Sequence, residues 1–276
     1  MVDRAEGAVA VMGEREAPPP KLAVRDLVKT RISTSGEPVT AVDHVSFDVH
    51  QGEFICLLGP SGCGKTTILN ILAGLDRPTS GEALLDGRPI PGPGPDRAVL
   101  FQEPALFPWL SVVQNVEFAL KYVGVPPAER RDRAMGWIAN VRLERFAGAQ
   151  PHELSAGMRQ RAALARALAS DPDVLLGDEP FGSLDAQARE LLQDEVQRVW
   201  VESEGRKTFV FVTHNVREAA LLADRVLVMT AAPGRLLEEQ RIHAPRPRRL
   251  DDALVSRVVL EIHDVLMREA TKGAGS

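Results

Sequence analysis

Short, fully apolar runs alternate along the chain with longer stretches whose apolar residues recur every three or four positions. Phe54–Leu58 (FICLL) leads straight into a glycine-rich turn and then a helical pattern, Thr66–Ala73. Ala98–Phe101, Val174–Leu176, Phe209–Val212 and Val226–Met229 are further strand candidates. Strands without polar alternation belong in a parallel sheet covered on both faces. Interleaved with helices, they predict an α/β core. From about Glu103 to Ala169 the pattern is helical with turns and no strand, which predicts a helical insertion. In Asp251–Ala270, residues Leu254, Val255, Val258, Val259, Ile262, Val265 and Leu266 share one helical face. A helix packed on its own domain is the simpler reading; a docking or dimer helix is the alternative. The segment before it, RIHAPRPRR, reads as a solvated basic linker. Residues 1–20, acidic and ending in three prolines, read as a mobile tail.

Composition narrows the function classes. The chain has 276 residues, 44% of them hydrophobic, enough for one large domain with an inserted subdomain. A net charge of −5 argues against nucleic acid as a partner, because phosphate neutralisation needs clustered positive charge. Cys56 and Cys63 are the only cysteines, too few for a disulfide framework or a cysteine-rich metal site, which fits a reducing cytosol. The six histidines are scattered without metal-ligand spacing. No apolar run approaches the ~20 residues a membrane helix needs. The N-terminus does not read as a secretory signal. A membrane role is therefore expected to be peripheral, through partner chains.

Gly59-Pro60-Ser61-Gly62-Cys63-Gly64-Lys65-Thr66 matches G-x-x-x-x-G-K-[ST], with a strand before it and a helix after it. The glycines let backbone N–H groups turn inward around phosphate oxygens, and Lys65 brings a point charge to the β- and γ-phosphates. The Thr66 hydroxyl can ligate Mg²⁺, and the following helix aims its positive end at the same anion. Thr67, the next residue, completes the nucleotide-binding set. Farther on, Val174-Leu175-Leu176-Gly177-Asp178-Glu179-Pro180 sets two carboxylates just beyond an apolar strand, the edge where doubly wound sheets bind ligands. Asp178 is expected to hold Mg²⁺ opposite Thr66, and Glu179 to orient or deprotonate the attacking water.

Further motifs follow in order. Gln102 succeeds the strand Ala98–Phe101. Leu154-Ser155-Ala156-Gly157-Met158-Arg159-Gln160 opens a helical pattern with Ser155 as a natural N-cap. Ser183-Leu184-Asp185 follows Pro180, and His214 follows the strand Phe209–Val212. Together these resemble an ATP-binding cassette (ABC) protein over nearly all of residues 22–240. The segments GPGPDRAVLFQEPALFPWLSVVQNV, APGR and APRPRR resemble the nitrate/sulfonate/taurine-type importers of bacteria.

The resemblance implies a P-loop NTPase (RecA-like) core with a mainly parallel sheet, an antiparallel β part near the N-terminus and an inserted helical subdomain. It implies an ATPase domain over 21–240, with the linker and amphipathic helix over 241–276. ATP and Mg²⁺ are the implied cofactors. Gln102 would contact Mg²⁺ or the lytic water and sense the membrane subunit, and His214 would contact the γ-phosphate. Ser155, Ala156 and Gly157 would reach ATP held by a second copy in a head-to-tail dimer, with Asp185 linking the two sites. Pro104, Phe107, Trp109 and Leu110 would line the groove for a permease subunit, or else pack within the helical subdomain. A solute-binding protein would be an indirect partner. The implied location is peripheral, at the cytoplasmic face of the inner membrane.

The sequence departs from the pattern in three places. Ala156 makes the signature LSAG rather than LSGG, Met158 stands where many members have Gln, and Arg31 falls near the place of the aromatic that stacks on adenine. A soluble cassette ATPase acting on a macromolecule is the main alternative. One P-loop and no sustained heptads weigh against it. Lys65, Asp178, Glu179 and His214 are all present, which weighs against an inactive regulatory subunit.

Overall fold

Alternate residues of the apolar strands feed two different cores, so polar residues fall only at the ends of these strands. Phe54, Cys56 and Leu58 enter one core; Ile55 and Leu57 enter the other. Phe209 and Phe211 alternate in the same way with Val210 and Val212. This is the period of two expected of a pleated strand buried on both faces.

The computed structural model describes residues 19–33 and 36–273. The first half runs β1 (Leu22–Ile32), β2 (Pro38–Val49), β3 (Phe54–Leu58), α1 (Lys65–Leu72), β4 (Ser80–Leu85), β5 (Arg88–Pro89) and β6 (Arg97–Leu100). Helices α2 (Val112–Tyr122), α3 (Pro127–Asn140) and α4 (Ala156–Ala169) follow, with no strand between β6 and β7 (Val174–Asp178). The chain then runs through α5 (Ala186–Glu202), β8 (Thr208–Thr213), α6 (Val216–Leu222), β9 (Arg225–Met229), β10 (Leu236–Arg241) and α7 (Ala253–Gly273).

The larger sheet has the order β10-β9-β3-β8-β7-β6, parallel except for the edge strand β10. A second sheet, β2-β1-β4-β5, is antiparallel and packs over α1 in the second core. The helical stretch after β6 packs into the first core through Val112, Val116, Leu120, Ile138 and Leu164. Its first helix begins with a capping box, in which the Ser111 hydroxyl accepts from Gln114 N–H and the Gln114 side chain accepts from Ser111 N–H.

Two expectations need correction. The segment 241–249 is no solvated linker: Ile242 and Ala244 are buried in the first core, and Arg248 is 3% exposed. Arg248 donates to the carbonyls of Ala244 (3.0 Å), Ile242 (3.2 Å) and Ala220 (3.4 Å), and to that of Ala223. Arg246 pairs with Asp224 at 2.8 Å and lies over the Trp200 ring, 4.2 Å from its centroid. An arginine-rich composition suggests solvation, but guanidinium donors can serve carbonyls that would otherwise be buried unpaired. The second correction is smaller. Asp178 is the last residue of β7 rather than beyond it.

The C-terminal helix packs against α6 and buries Val255, Ile262 and Val265, as the simpler reading required. Leu254 is exposed. Of the tail read over 1–20, residues 1–18 lie outside the described residues.

Arg248→Ala should leave several buried carbonyls without donors and cost about 3 kcal/mol of stability, since each such group costs ~1–3 kcal/mol. Arg249→Ala, at an 81% exposed side chain, should change stability by less than about 0.5 kcal/mol. Urea unfolding midpoints of the two variants check this contrast.

Candidate functional site

The glycine-rich turn joins the central strand β3 to α1. Gly64 is the N-cap of α1 with φ 89°, a left-handed backbone that glycine adopts without penalty. Lys65, only 4% exposed, folds back over the turn: Nζ donates to the Gly59 carbonyl at 2.8 Å and the Pro60 carbonyl at 2.9 Å. Its ammonium therefore sits against the carbonyls that open the turn. Pro60 and Ser61 are exposed, whereas Cys63 is buried, which pushes its thiol up. Thr67 is buried in the first turn of α1.

The APGR segment backs this turn, a role its sequence does not announce. Gly234 N–H donates to Ala41 O at 3.0 Å, and Asp43 N–H donates to Gly234 O at 2.9 Å. A Cβ on Gly234 would lie 1.9 Å from the Cys63 carbonyl oxygen, so glycine is required there by close approach.

The two strand-end carboxylates take different surroundings. Thr66 Oγ1 donates to Asp178 Oδ1 at 2.8 Å, which brings the expected pair together across the sheet edge. Burial pushes the Asp178 carboxyl up, against the pull of the Thr66 bond. Glu179 has φ 43°, a left-handed conformation that costs a non-glycine residue energy. Two backbone bonds hold it, Glu179 N–H to Val212 O and Gly182 N–H to Glu179 O, both 3.0 Å. The Glu179 side chain is thereby aimed at His214, whose Nδ1 lies 2.9 Å from Glu179 Oε2.

Gln102 shares this space. A Cβ on Gly182 would lie 3.5 Å from Gln102 Nε2 and 3.8 Å from Glu179 Oε2. The backbone before Gln102 is held by Gln160, the last residue of the Leu154–Gln160 motif, to which the sequence assigns no role. Gln160 is fully buried in α4, and Nε2 donates to Phe101 O at 2.9 Å. Only the fold reveals its partner.

No cluster of three or more His, Cys, Asp or Glu able to hold a metal occurs among the described residues. Thr66 and Asp178 supply two hard oxygen donors. That fits Mg²⁺, which takes one or two protein ligands and completes its shell with phosphate oxygens and water.

Signature residues stand apart from this cluster. Ser155 caps α4, accepting from Met158 N–H at 3.3 Å, and Asp185 caps α5, accepting from Ala188 N–H at 2.9 Å. No hydrogen bond or ion pair joins either side chain to the glycine-rich turn among the described residues. Ala156 opens α4 and is not among the residues with positive φ, so its methyl brings no backbone strain. Gly157 has a reason within its own chain: a Cβ there would meet Ala188 Cβ at 2.6 Å, where α4 crosses α5. Arg31 is about half exposed and lies 3.7 Å from Asp76.

Phe107 and Phe118 pack edge to face at 4.7 Å, and Arg166 lies 5.5 Å from the Phe107 ring centroid. Trp109 and Tyr122 remain about 70% exposed beside them. No described helix is long and apolar enough to cross a membrane.

Comparison with known proteins agrees with this geometry. The model of the ABC transporter family matches residues 42–182. An uncharacterized ABC transporter ATP-binding protein of Methanocaldococcus jannaschii is 50% identical over 228 residues, 83% of this chain and 84% of the relative. A taurine import ATP-binding protein of Rhizobium johnstonii is 48% identical over 202 residues, 73% of this chain and 76% of the relative. Among solved structures, the dimeric post-hydrolysis state of an ATP-binding cassette bound to ADP and Pi superposes with a TM-score of 0.72. It is 32% identical, over 81% of this chain and 100% of that one. Fold, site geometry and relatives thus agree that the chain belongs to the ABC transporter family, as an ATP-hydrolysing cassette.

Proposed function

We propose that this ATPase powers import of a small solute through separate membrane subunits. The solute is of the nitrate, sulfonate or taurine type. The observation that carries the chemistry is the convergence of two pairs, Thr66–Asp178 and Glu179–His214, on the edge that also bears Lys65. Backbone N–H groups of Gly59, Ser61, Gly62, Cys63, Gly64, Lys65, Thr66 and Thr67 surround the phosphates of ATP, and Pro60, which has no N–H, fixes the turn between them. Lys65 adds its charge to the β- and γ-phosphates. Thr66, Asp178 and Gln102 hold Mg²⁺, which neutralises charge on the phosphate oxygens. Glu179 orients a water and accepts its proton, while His214 steadies Glu179 and touches the γ-phosphate.

Ser155, Ala156, Gly157 and Asp185 complete the site of a second copy in a head-to-tail dimer. The dimeric cassette among the solved relatives supports this. The exposed aromatic surface around Phe107 and Trp109 receives a permease subunit, which keeps the protein peripheral at the cytoplasmic face of the inner membrane. A solute-binding protein delivers cargo to the permease. The taurine import relatives support the solute class.

The test is to search the neighbouring reading frames for a multi-span protein and a binding protein and to reconstitute these with the chain in proteoliposomes. ATP-dependent uptake of taurine, nitrate or an alkanesulfonate should appear, and ATPase activity should rise with it. ATPase activity indifferent to the membrane partner would overturn the transport reading in favour of action on a macromolecule.

A further inference from the structure

Helices α5 and α6 start on either side of the Glu179–His214 pair, and one buried carboxylate connects them. Arg189, in the first turn of α5, donates Nη2 to Leu184 O at 3.0 Å and Nε to Phe181 O at 3.3 Å. It thus holds two carbonyls of the loop that leads from Glu179 to Asp185. The same Nε lies 3.7 Å from Glu218 Oε1 on α6. Glu218 has a 7% exposed side chain, and its Oε2 accepts from the Thr213 hydroxyl at 2.7 Å. Thr213 Oγ1 in turn accepts from Asn215 N–H at 3.0 Å, so the threonine grips both flanks of His214. With His214 Nδ1 2.9 Å from Glu179, the contacts close into a ring.

A carboxylate in this position is costly. Burial pushes the Glu218 carboxyl up, and an apolar side chain of like volume would fill the space without desolvating a charge. What the carboxylate adds is direction: it fixes one hydroxyl beside His214 and faces one guanidinium. Arginine suits the other half, since its planar fork reaches two carbonyls and an anion at once.

We propose that Arg189 and Glu218 are a positioning pair. Together they hold the loop 180–184 and the Thr213–Asn215 turn in the relative geometry that sets His214 against Glu179. The inference rests on the roles given above to Glu179 and His214. It adds a route for control. Asp185 precedes Arg189 by one helical turn, so a second copy that displaces Asp185 moves Arg189 and, through Glu218, the histidine.

Steady-state ATPase kinetics on the full chain test this, with nucleotide titration and thermal melting alongside. Glu218→Gln keeps the shape and removes the charge. It should lower kcat about tenfold with KM and ATP affinity within about twofold, the signature of lost positioning rather than lost binding. Arg189→Ala, at a partly exposed site, should lower kcat by a similar factor and carries the test if Glu218→Gln folds poorly. Arg189→Lys keeps the charge but cannot reach both carbonyls, so its rate should fall between wild type and Arg189→Ala. In the double variant Arg189→Ala/Glu218→Gln the losses should not multiply, because both break one ring. Wild-type kcat in both single variants, multiplying losses, or losses that follow ATP affinity or melting temperature would each overturn the pair. Glu179→Gln separates the two readings. If it turns over normally, the assignment of the site fails; if it alone is slow, only the positioning pair fails.

Discussion

Glu179→Gln should bind ATP as the wild type does and hydrolyse it ~10²–10⁴-fold more slowly, the usual loss when a general base is removed. The substitution is nearly isosteric. The glutamine can still meet His214 Nδ1, and the backbone bonds to Val212 and Gly182 that hold φ at 43° do not involve the side chain. The P-loop contacts of Lys65 and the Thr66–Asp178 bond are untouched. What disappears is the proton acceptor. ATP binding without hydrolysis should also preserve the dimer proposed above. Single-turnover ATPase measurements check the rate, and sedimentation with and without ATP checks the dimer. A turnover near that of the wild type would remove Glu179 from the base role.

The parallel core was legible because its strands are buried on both faces. Val174–Asp178, Thr208–Thr213 and Arg225–Met229 begin or end within two residues of the apolar runs that predict them. The antiparallel strands carry no such signal. β1 reads LAVRDLVKTRI, and its pairing with β2 shifts register three times, so polar and apolar positions fall out of alternation. Asp26 and His44 take positive φ within those irregular strands. β10 reads LLEEQR and lies at a sheet edge, where polar side chains face solvent. For β1 and β2 the family resemblance, rather than periodicity, predicts the antiparallel part near the N-terminus; neither predicts β10.

The site divides along the same line. Residues that meet through a short motif, such as Gly59–Thr66 or Asp178-Glu179, are legible from spacing. Gln160 meets Phe101 and Arg189 meets Glu218 only across the fold, while the Arg189–Leu184 and Thr213–Glu218 contacts, though near in sequence, belong to no motif that would mark them. Gly157 adds a caution about motif glycines. Its sequence context suggests close approach to a phosphate, but Ala188 already requires the missing Cβ. Gly157→Asp would disturb the α4–α5 contact as well as any dimer, and cannot separate the two. Arg246 and Arg248 make the same point for composition: a run of prolines and arginines looks solvated until the buried carbonyls around it are known.

Lys65→Ala should lower ATP affinity by about 10- to 100-fold, because one charge-assisted hydrogen bond contributes ~1.5–3 kcal/mol and each 1.4 kcal/mol is a decade. Two effects must be told apart. Among the described residues Lys65 is the only side chain that donates to the Gly59 and Pro60 carbonyls, so its loss could loosen the turn as well as remove charge. The phosphates distinguish them. If the ammonium acts on the β- and γ-phosphates, affinity for ATP falls while affinity for AMP, which lacks both, hardly changes. If the turn itself loosens, AMP and ATP lose affinity together. Gly64 keeps the start of α1 in its left-handed cap whatever residue follows, and α1 still directs its N-terminal dipole at the turn, which favours the first outcome. Fluorescent-nucleotide titration of both ligands measures the difference. An ATP affinity equal to that of the wild type would refute the phosphate cradle, because a monovalent cation withdrawn from within hydrogen-bond reach of a polyphosphate cannot leave its binding unchanged.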